Sequence, residues 1–241
     1  MNLQPLPVET AFNLAQIVPF YQPIFALNNR RAVRYECLAR FLDTNQRIMM
    51  PNDFLYIVER DCQAANMTAR ILELTRAYCQ PRQMSWSINL FKSDLLDQPL
   101  LHDIQAMSQL SKSRLCGIEI SYETIKDDLE ALGELRREMN ALHITIDDID
   151  ECNESLFALI ASGIDAIKIQ TDALKKLCSK GDGAHDIQAL KSHCDKHKCL
   201  LIAEHIESAD SLSLVQSLDI KYGQGFFLSH PLQQVIAVHS A

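Results

Sequence analysis

The chain has 241 residues, of which 47% are apolar, 22% charged and 7% aromatic, with 7 Gly and 8 Pro; this is the composition of a globular domain and excludes collagen, a coiled coil and a disordered tail. Its 23 Lys and Arg stand against 31 Asp and Glu, a net charge of −8, and no basic run is long enough to follow a phosphate backbone, which excludes duplex nucleic acid as the main partner. No Pro/Gly/Ser-rich linker divides the chain, since residues 179–184 have the length of a surface loop, so residues 1–241 read as one domain with residues 1–16 as an N-terminal extension.

Residues 1–9 lack the basic segment and apolar core of an export signal, and no apolar run reaches the roughly 18 residues of a membrane segment, so the expected location is the cytoplasm. Apolar, β-prone residues 17–27, turn residues 28–30 and a returning run at 32–41 predict an opening β-hairpin. Short apolar runs at 84–90, 114–120, 143–147, 164–169, 198–203 and 220–222 predict strands. Segments 63–79, 93–110, 123–142, 155–161, 186–197 and 209–218 carry the helical period. Strand starts recur at roughly the spacing of a βα unit, so the predicted fold is α/β, a TIM-like (β/α) barrel with an irregular start in which the first strand is antiparallel. An open doubly wound sheet is the alternative; no Gly-x-Gly-x-x-Gly follows any strand to support it. The eight cysteines (Cys37, Cys62, Cys79, Cys116, Cys152, Cys178, Cys194, Cys199) are scattered without a Cys-x-x-Cys and are expected as reduced thiols.

The catalytic groups of such a barrel gather at the carboxyl ends of its strands. Six runs carry a polar residue there or within them: Glu36, Asn89, Glu119, the pair Asp147-Asp148, Lys168 and Glu204. A buried charge costs several kcal/mol unless it is paired or metal-bound, and a barrel brings all these ends into one mouth, where they must be neutralised together. Five carboxylates and an amide oxygen, without His or Cys, make a hard oxygen site suited to Mg²⁺ or Mn²⁺. The count fits two ions, and such a pair, about 3.5 to 4 Å apart, typically serves phosphoester hydrolysis. Lys168 then orients water or stabilises developing charge; the structural alternative is an ion-pair network around Lys168. His193 and His197 have a spacing that can bind zinc, although a solvated helix end explains them equally well.

These residues lie in an ordered series of short motifs. Tyr21-Gln22-Pro23-Ile24, Glu36-Cys37-Leu38-Ala39-Arg40, Pro51-Asn52-Asp53-Phe54, Ile88-Asn89-Leu90, Glu119-Ile120-Ser121, Asp147-Asp148, Asp165-Ala166-Ile167-Lys168-Ile169, Ala203-Glu204-His205-Ile206-Glu207, Gln224-Gly225-Phe226 and Ser229-His230-Pro231 follow one another along nearly the whole chain. The series resembles that of the EAL-domain family of cyclic-di-GMP phosphodiesterases, with Cys37 in place of the Ala of Glu-Ala-Leu. The resemblance implies that Glu36, Asn89, Glu119 and Asp147 ligate one Mg²⁺ or Mn²⁺ and Asp147 with Asp148 the other. It implies further that Lys168 and Glu204 handle the nucleophilic water, that Glu207 and Gln224 support the site, and that Gln22 and Arg40 bind substrate, the planar guanidinium gripping a phosphate. The implied reaction is hydrolysis of cyclic di-GMP to linear pGpG. The alternative is a catalytically inactive cyclic-di-GMP receptor or protein-interaction module, and a homodimer or a protein partner is open in either case. The chain departs from the family pattern in four places: residues 149–155 have lost the glycines that follow the Asp pair, Tyr122 replaces a Glu, Gln170 an Asp and His205 a Gly. Loss of glycines withdraws positive-φ conformations from the loop.

Overall fold

The structure, a computed structural model, describes residues 13–110, 116–179 and 183–235. Most of the expected N-terminal extension, residues 114–115 of the predicted strand and the centre of the 179–184 loop lie outside the described residues.

β1 (Ile17–Ala26) and β2 (Arg31–Leu42) form the predicted hairpin, which places Gln22 opposite Glu36. A two-residue strand β3 (Ile48–Met49) hangs on β2, and two helices follow, α1 (Pro51–Arg60) and α2 (Ala64–Cys79). The chain then alternates: β4 (Trp86–Leu90) and α3 (Gln98–Leu110); β5 (Cys116–Ser121), α4 (Tyr122–Ile125) and α5 (Leu129–Glu138); β6 (His143–Ile149) and α6 (Glu154–Ala161). It ends with β7 (Ala166–Gln170), α7 (Thr171–Cys178) and α8 (Gly183–His197), then β8 (Leu200–Glu204), α9 (Ala209–Ser217) and β9 (Tyr222–Gly223).

The sheet order β1-β9-β8-β7-β6-β5-β4-β2 closes on itself because β1 also pairs with β2. The result is the predicted barrel, eight strands in the ring. β2 and β4 through β9 pair in parallel, while β1 is antiparallel to both its neighbours. A tight turn can join only antiparallel strands, whereas each parallel step needs a crossover, here supplied by helices.

Strand alternation divides the core into two faces. Ile118 and Ile120 flank Glu119, Ile167 and Ile169 flank Lys168, and these buried isoleucines share one cluster with helix residues Leu132, Leu159, Leu174 and Leu190. The intervening positions face the barrel axis. Low in the barrel the axis is filled by a small separate cluster of Ile24, Ala166 and Ile202, with Tyr222 packed on it. Two residues further toward the mouth on the same strands stand Gln22, Lys168 and Glu204. Period two thus stacks a polar layer directly on an apolar plug, the layered filling expected of such barrels.

The helices depart from expectation at identifiable caps. The predicted helix 123–142 breaks into α4 and α5 where Asp128 accepts the Ala131 N–H at 2.9 Å. The predicted helix 93–110 opens as a separate 3-10 turn, Asp94–Leu96, and restarts where Asp97 accepts the Leu100 N–H at 2.9 Å; Pro99 sits in the first turn of α3, where its missing N–H is harmless. Helices α1 and α7 are additions to the predicted set. α1 had a readable start, Pro51 with Asp53 accepting the Met50 N–H at 3.0 Å. α7 begins on the residue after β7, so no loop residues announce it.

The zinc reading of His193 and His197 fails. Their rings are 4.5 Å apart, but the His193 Nε2–H donates to the Phe157 carbonyl at 2.9 Å and the ring packs edge-on against Phe157. No third ligating group joins them among the described residues, and the pair belongs to the α6–α8 packing. All eight cysteines are free thiols. Among the described residues no helix is long and apolar enough to cross a membrane.

Candidate active site

The inward residues of β2, β5, β6 and β7 meet at one point. Lys168 Nζ donates to Glu36 Oε2 at 2.8 Å, to Asp147 Oδ2 at 3.2 Å and to Glu119 Oε2. Lys168 is 1% exposed, so the ammonium depends on these three carboxylates for the solvation that water would otherwise supply. Further donors saturate the carboxylates from outside. Asn89 Nδ2 donates to Glu36 Oε1 at 2.8 Å, Gln224 Nε2 to Glu36 Oε2 at 2.7 Å, and Ser87 Oγ to Glu119 Oε1. Gln224 Nε2 also reaches Gln22 Oε1 at 3.3 Å, and Gln22 Nε2 donates to the Ser229 carbonyl at 3.1 Å, which ties the cluster to the C-terminal segment.

The electrostatics follow from this packing. Burial opposes the Glu36 carboxylate, yet the Lys168 charge and the hydrogen bonds from Lys168, Asn89 and Gln224 hold its pKa below the usual carboxylate range. Glu119 goes the other way: burial, with the charges of Glu36 and Asp147, pushes it up to about 8 against the pull of Lys168. Asp147 is raised by burial and by the neighbouring Glu36 and Asp148 charges. Burial works against the Lys168 ammonium, but Asp147, Glu119 and Glu36 together hold its pKa well above the ordinary value. One cation among three acids leaves surplus negative charge, which is where a further cation or proton is favoured.

A second group lies beside the first, toward solvent. At Asp148 the pairing of β6 with β7 shifts register, the backbone turns left-handed with φ 57°, and the Asp148 N–H donates to Asp147 Oδ1 at 2.9 Å. Glu204 ends β8. It is 6% exposed, its Oε1 finds no hydrogen-bond donor among the described residues, and burial with the Asp147 charge raises its pKa well above the carboxylate range. His205 follows with φ 56°. One ligand atom each from Asp148, Glu204 and His205 lies within 4.8 Å of the other two, and the same holds for Glu36, Glu119 and Asp147. Both donor sets suit a divalent cation, the first all-oxygen and the second with one nitrogen. The turn after β8 is held by the Thr171 hydroxyl, which donates to the His205 carbonyl at 2.9 Å, and by the Ile206 N–H, which donates to the Gln224 carbonyl at 3.1 Å. Gly225, at φ 158°, is required there because a Cβ would come within 2.2 Å of the Ile206 carbonyl oxygen.

A cavity of about 510 Å³ is lined by Glu36, Asn89, Asp147, Asp148, Glu204 and Gln224, together with Gln22 and Arg40. Glu119 and Lys168 are buried and not among its lining residues. Arg40 is buried, donates to the Ala39 carbonyl at 2.8 Å and lies 5.8 Å over the Phe20 ring. Burial lowers its pKa while the Glu36 charge opposes that shift. Glu207 stands exposed on the rim; its backbone N–H donates to Ser211 Oγ at 3.2 Å, and its side chain touches neither carboxylate group.

These are the features that a family likeness must explain. The model of the EAL domain family matches residues 7–231. The chain belongs to the EAL domain family. It is 24% identical over 226 residues to the cyclic di-GMP phosphodiesterase PdeA of Borreliella burgdorferi, an alignment covering 88% of this chain and 33% of that protein. The chain therefore spans about a third of that relative's length. Among solved structures it is similar to the FimX EAL domain of Pseudomonas aeruginosa bound to c-di-GMP, with TM-score 0.78, 19% identity and coverage of 94% of this chain and 95% of that one. It is likewise similar to an EAL domain protein of Listeria monocytogenes, with TM-score 0.81, 18% identity and coverage of 97% and 95%. At these identities the structural likeness establishes the fold.

Within this EAL domain the rewritten segment after Asp148 is ordered by its own bonds. Asn153 caps α6 by accepting the Leu156 N–H at 3.0 Å, donates to Glu151 Oε1 at 2.7 Å, and accepts the Tyr122 hydroxyl at 2.7 Å. Sequence reasoning did not single out Ser87, Thr171, Tyr122 as an anchor, or His205 as a ligand donor. Ser87 was within reach, because it lies two residues before Asn89 and so shares its face.

Proposed function

We propose that this EAL domain hydrolyses one phosphodiester of cyclic di-GMP to linear pGpG with two Mg²⁺ or Mn²⁺ ions. The reading is carried by one observation: members of two ligand sets, Glu36 and Asp147 of one and Asp148, Glu204 and His205 of the other, line a single cavity that Arg40 and Gln22 also line. The named activity of the Borreliella relative supports the substrate class. Glu36, Asn89, Glu119 and Asp147 would hold one cation, and Asp147 and Asp148 the other, with Glu204 beside them. The ions supply a nucleophile at neutral pH and neutralise the phosphoryl charge.

The protein's own part is positioning and proton transfer. Arg40 presents a planar donor fork to a phosphate oxygen. Gln224 fixes the Glu36 carboxylate. Glu204 lines the cavity beside Asp147 and Asp148, and with a neighbouring cation holding it ionised its carboxylate would accept the proton of an attacking water through the oxygen not bound to that cation. Lys168, whose ammonium binds Glu36, Glu119 and Asp147, would position the nucleophilic water or stabilise developing charge beside them. The test is direct: purified protein with Mg²⁺ or Mn²⁺ converts cyclic di-GMP to pGpG, and Glu36→Ala abolishes conversion.

A second reading is favoured by a specific observation. The Lys168 ammonium already pairs with Glu36, Glu119 and Asp147, so these acids have a partner without a metal ion and the cavity can hold a nucleotide as a receptor. Binding of cyclic di-GMP without turnover over hours, at saturating Mg²⁺ and Mn²⁺, selects that reading.

A further inference from the structure

We propose that His205 is a cation ligand: with Asp148 and Glu204 it forms a mixed nitrogen–oxygen site that holds a transition ion of the Mn²⁺-to-Zn²⁺ series in preference to Mg²⁺. The inference rests on the cation-dependent reading for its place at the phosphodiester cavity; the ligation itself is measured without nucleotide.

Three observations carry it. The imidazole nitrogen and the two carboxylate oxygens lie within 4.8 Å of one another, and two ligands at about 2.0 to 2.2 Å from a common ion are themselves up to about 4.4 Å apart. Small side-chain rotations therefore bring all three onto one ion. Glu204, one member of this group, has its Oε1 buried with no donor among the described residues. An oxygen so placed carries an unrecovered desolvation cost that a cation removes. Asp148 and His205 are exposed, so an ion reaches the site from the cavity mouth while the barrel stays closed.

The site is also held in place. The His205 carbonyl is pinned by Thr171 and the next N–H by Gln224, so little chain entropy remains to be lost when the imidazole closes on an ion. Nitrogen ligation is what changes the preference. Mg²⁺ takes oxygen ligands and gives up its waters reluctantly, whereas imidazole suits the later first-row ions.

The test compares wild-type protein with His205→Gly, a change the backbone accepts because residue 205 is already left-handed. Calorimetric titration with Co²⁺ is expected to show an affinity at least about tenfold weaker in His205→Gly, with Mg²⁺ affinity altered less than about threefold. Pulsed EPR of Mn²⁺-loaded wild-type protein is expected to show nitrogen modulation that His205→Gly lacks. Equal losses of Co²⁺ and Mg²⁺ affinity, or Mn²⁺ bound by wild-type protein without nitrogen modulation, overturn the proposal. Nitrogen modulation in a protein that does not hydrolyse cyclic di-GMP leaves the ligand assignment standing while the catalytic reading falls; hydrolysis without nitrogen modulation does the reverse.

Discussion

The Tyr122 hydroxyl, at the start of α4, donates at 2.7 Å to Asn153 Oδ1, in the segment that follows the Asp147-Asp148 pair. Both residues stand where the chain departs from the family's motif series, and they meet each other. Tyr122 is fully buried, so its hydroxyl needs that acceptor, and Asn153 in turn caps α6. The loop that lost its glycines is thus held by a tyrosine–asparagine bond to the first residue of α4, directly after the strand that delivers Glu119. Tyr122→Phe is expected to lose about 1 kcal/mol, the net worth of one such bond. The melting temperature falls by roughly 2–4 °C and the amides of residues 150–156 exchange faster. Unchanged exchange there would show that the loop is anchored elsewhere.

Under the proposed function, a cation on Glu36, Glu119 and Asp147 would compete with Lys168 Nζ, which binds all three carboxylates. Lys168→Ala leaves three buried carboxylates without their counter-charge, and breaking a buried pair in this way costs about 3–5 kcal/mol. In EDTA the variant is therefore expected to melt far below wild type. Saturating Mg²⁺ or Mn²⁺ is expected to recover most of the loss, because the ion takes the place of the ammonium. A deficit that divalent ions leave untouched would separate Lys168 from the cation position.

Glu119 makes the metal-free protein pH-sensitive in a defined direction. Its folded-state pKa, about 8, lies above the roughly 4.3 of an unfolded glutamate, so the folded state holds the proton more tightly. The stability this confers is complete below the unfolded value and is lost as pH rises through about 8. Glu119→Gln mimics the protonated form, with its amide placed to keep the Ser87 contact. In EDTA it is expected to gain on wild type as pH climbs from 5 to 8.5, by roughly 2–8 °C at the upper end. Melting curves whose difference is flat across that range would contradict the assignment.

Glu204→Gln removes a proton acceptor while conserving shape. Under the proposed mechanism turnover falls by at least about 100-fold, the scale of a lost general base, while the melting temperature stays near that of wild type. Arg40→Lys replaces a fork with a point charge, and its expected signature is a raised KM with kcat altered less. Single-turnover kinetics distinguish the two. If Glu204→Gln retains full turnover, another group takes the proton.

Much of the fold was readable because it rests on local rules. Alternation put Glu36, Glu119, Lys168 and Glu204 on inward faces, the spacing of apolar runs implied βα units, and turn residues 28–30 announced the hairpin whose first strand runs antiparallel. Caps were harder. Asp128 and Asp97 terminate or start helices through bonds of a single side chain, which a period of 3.6 does not register.

The amino-acid order determined which residues face the barrel axis and at which end of each strand they stand, since periodicity and chain direction are properties of one segment at a time. Which inward groups touch was decided only by closure of the ring, because the distance across a barrel depends on the register of all eight strands together. Closure set Lys168 among three carboxylates, left Glu204 Oε1 without a donor, and drew Tyr122 to Asn153. His205 gained a neighbour in Asp148 the same way, through two left-handed turns on strands that are not adjacent in the sheet.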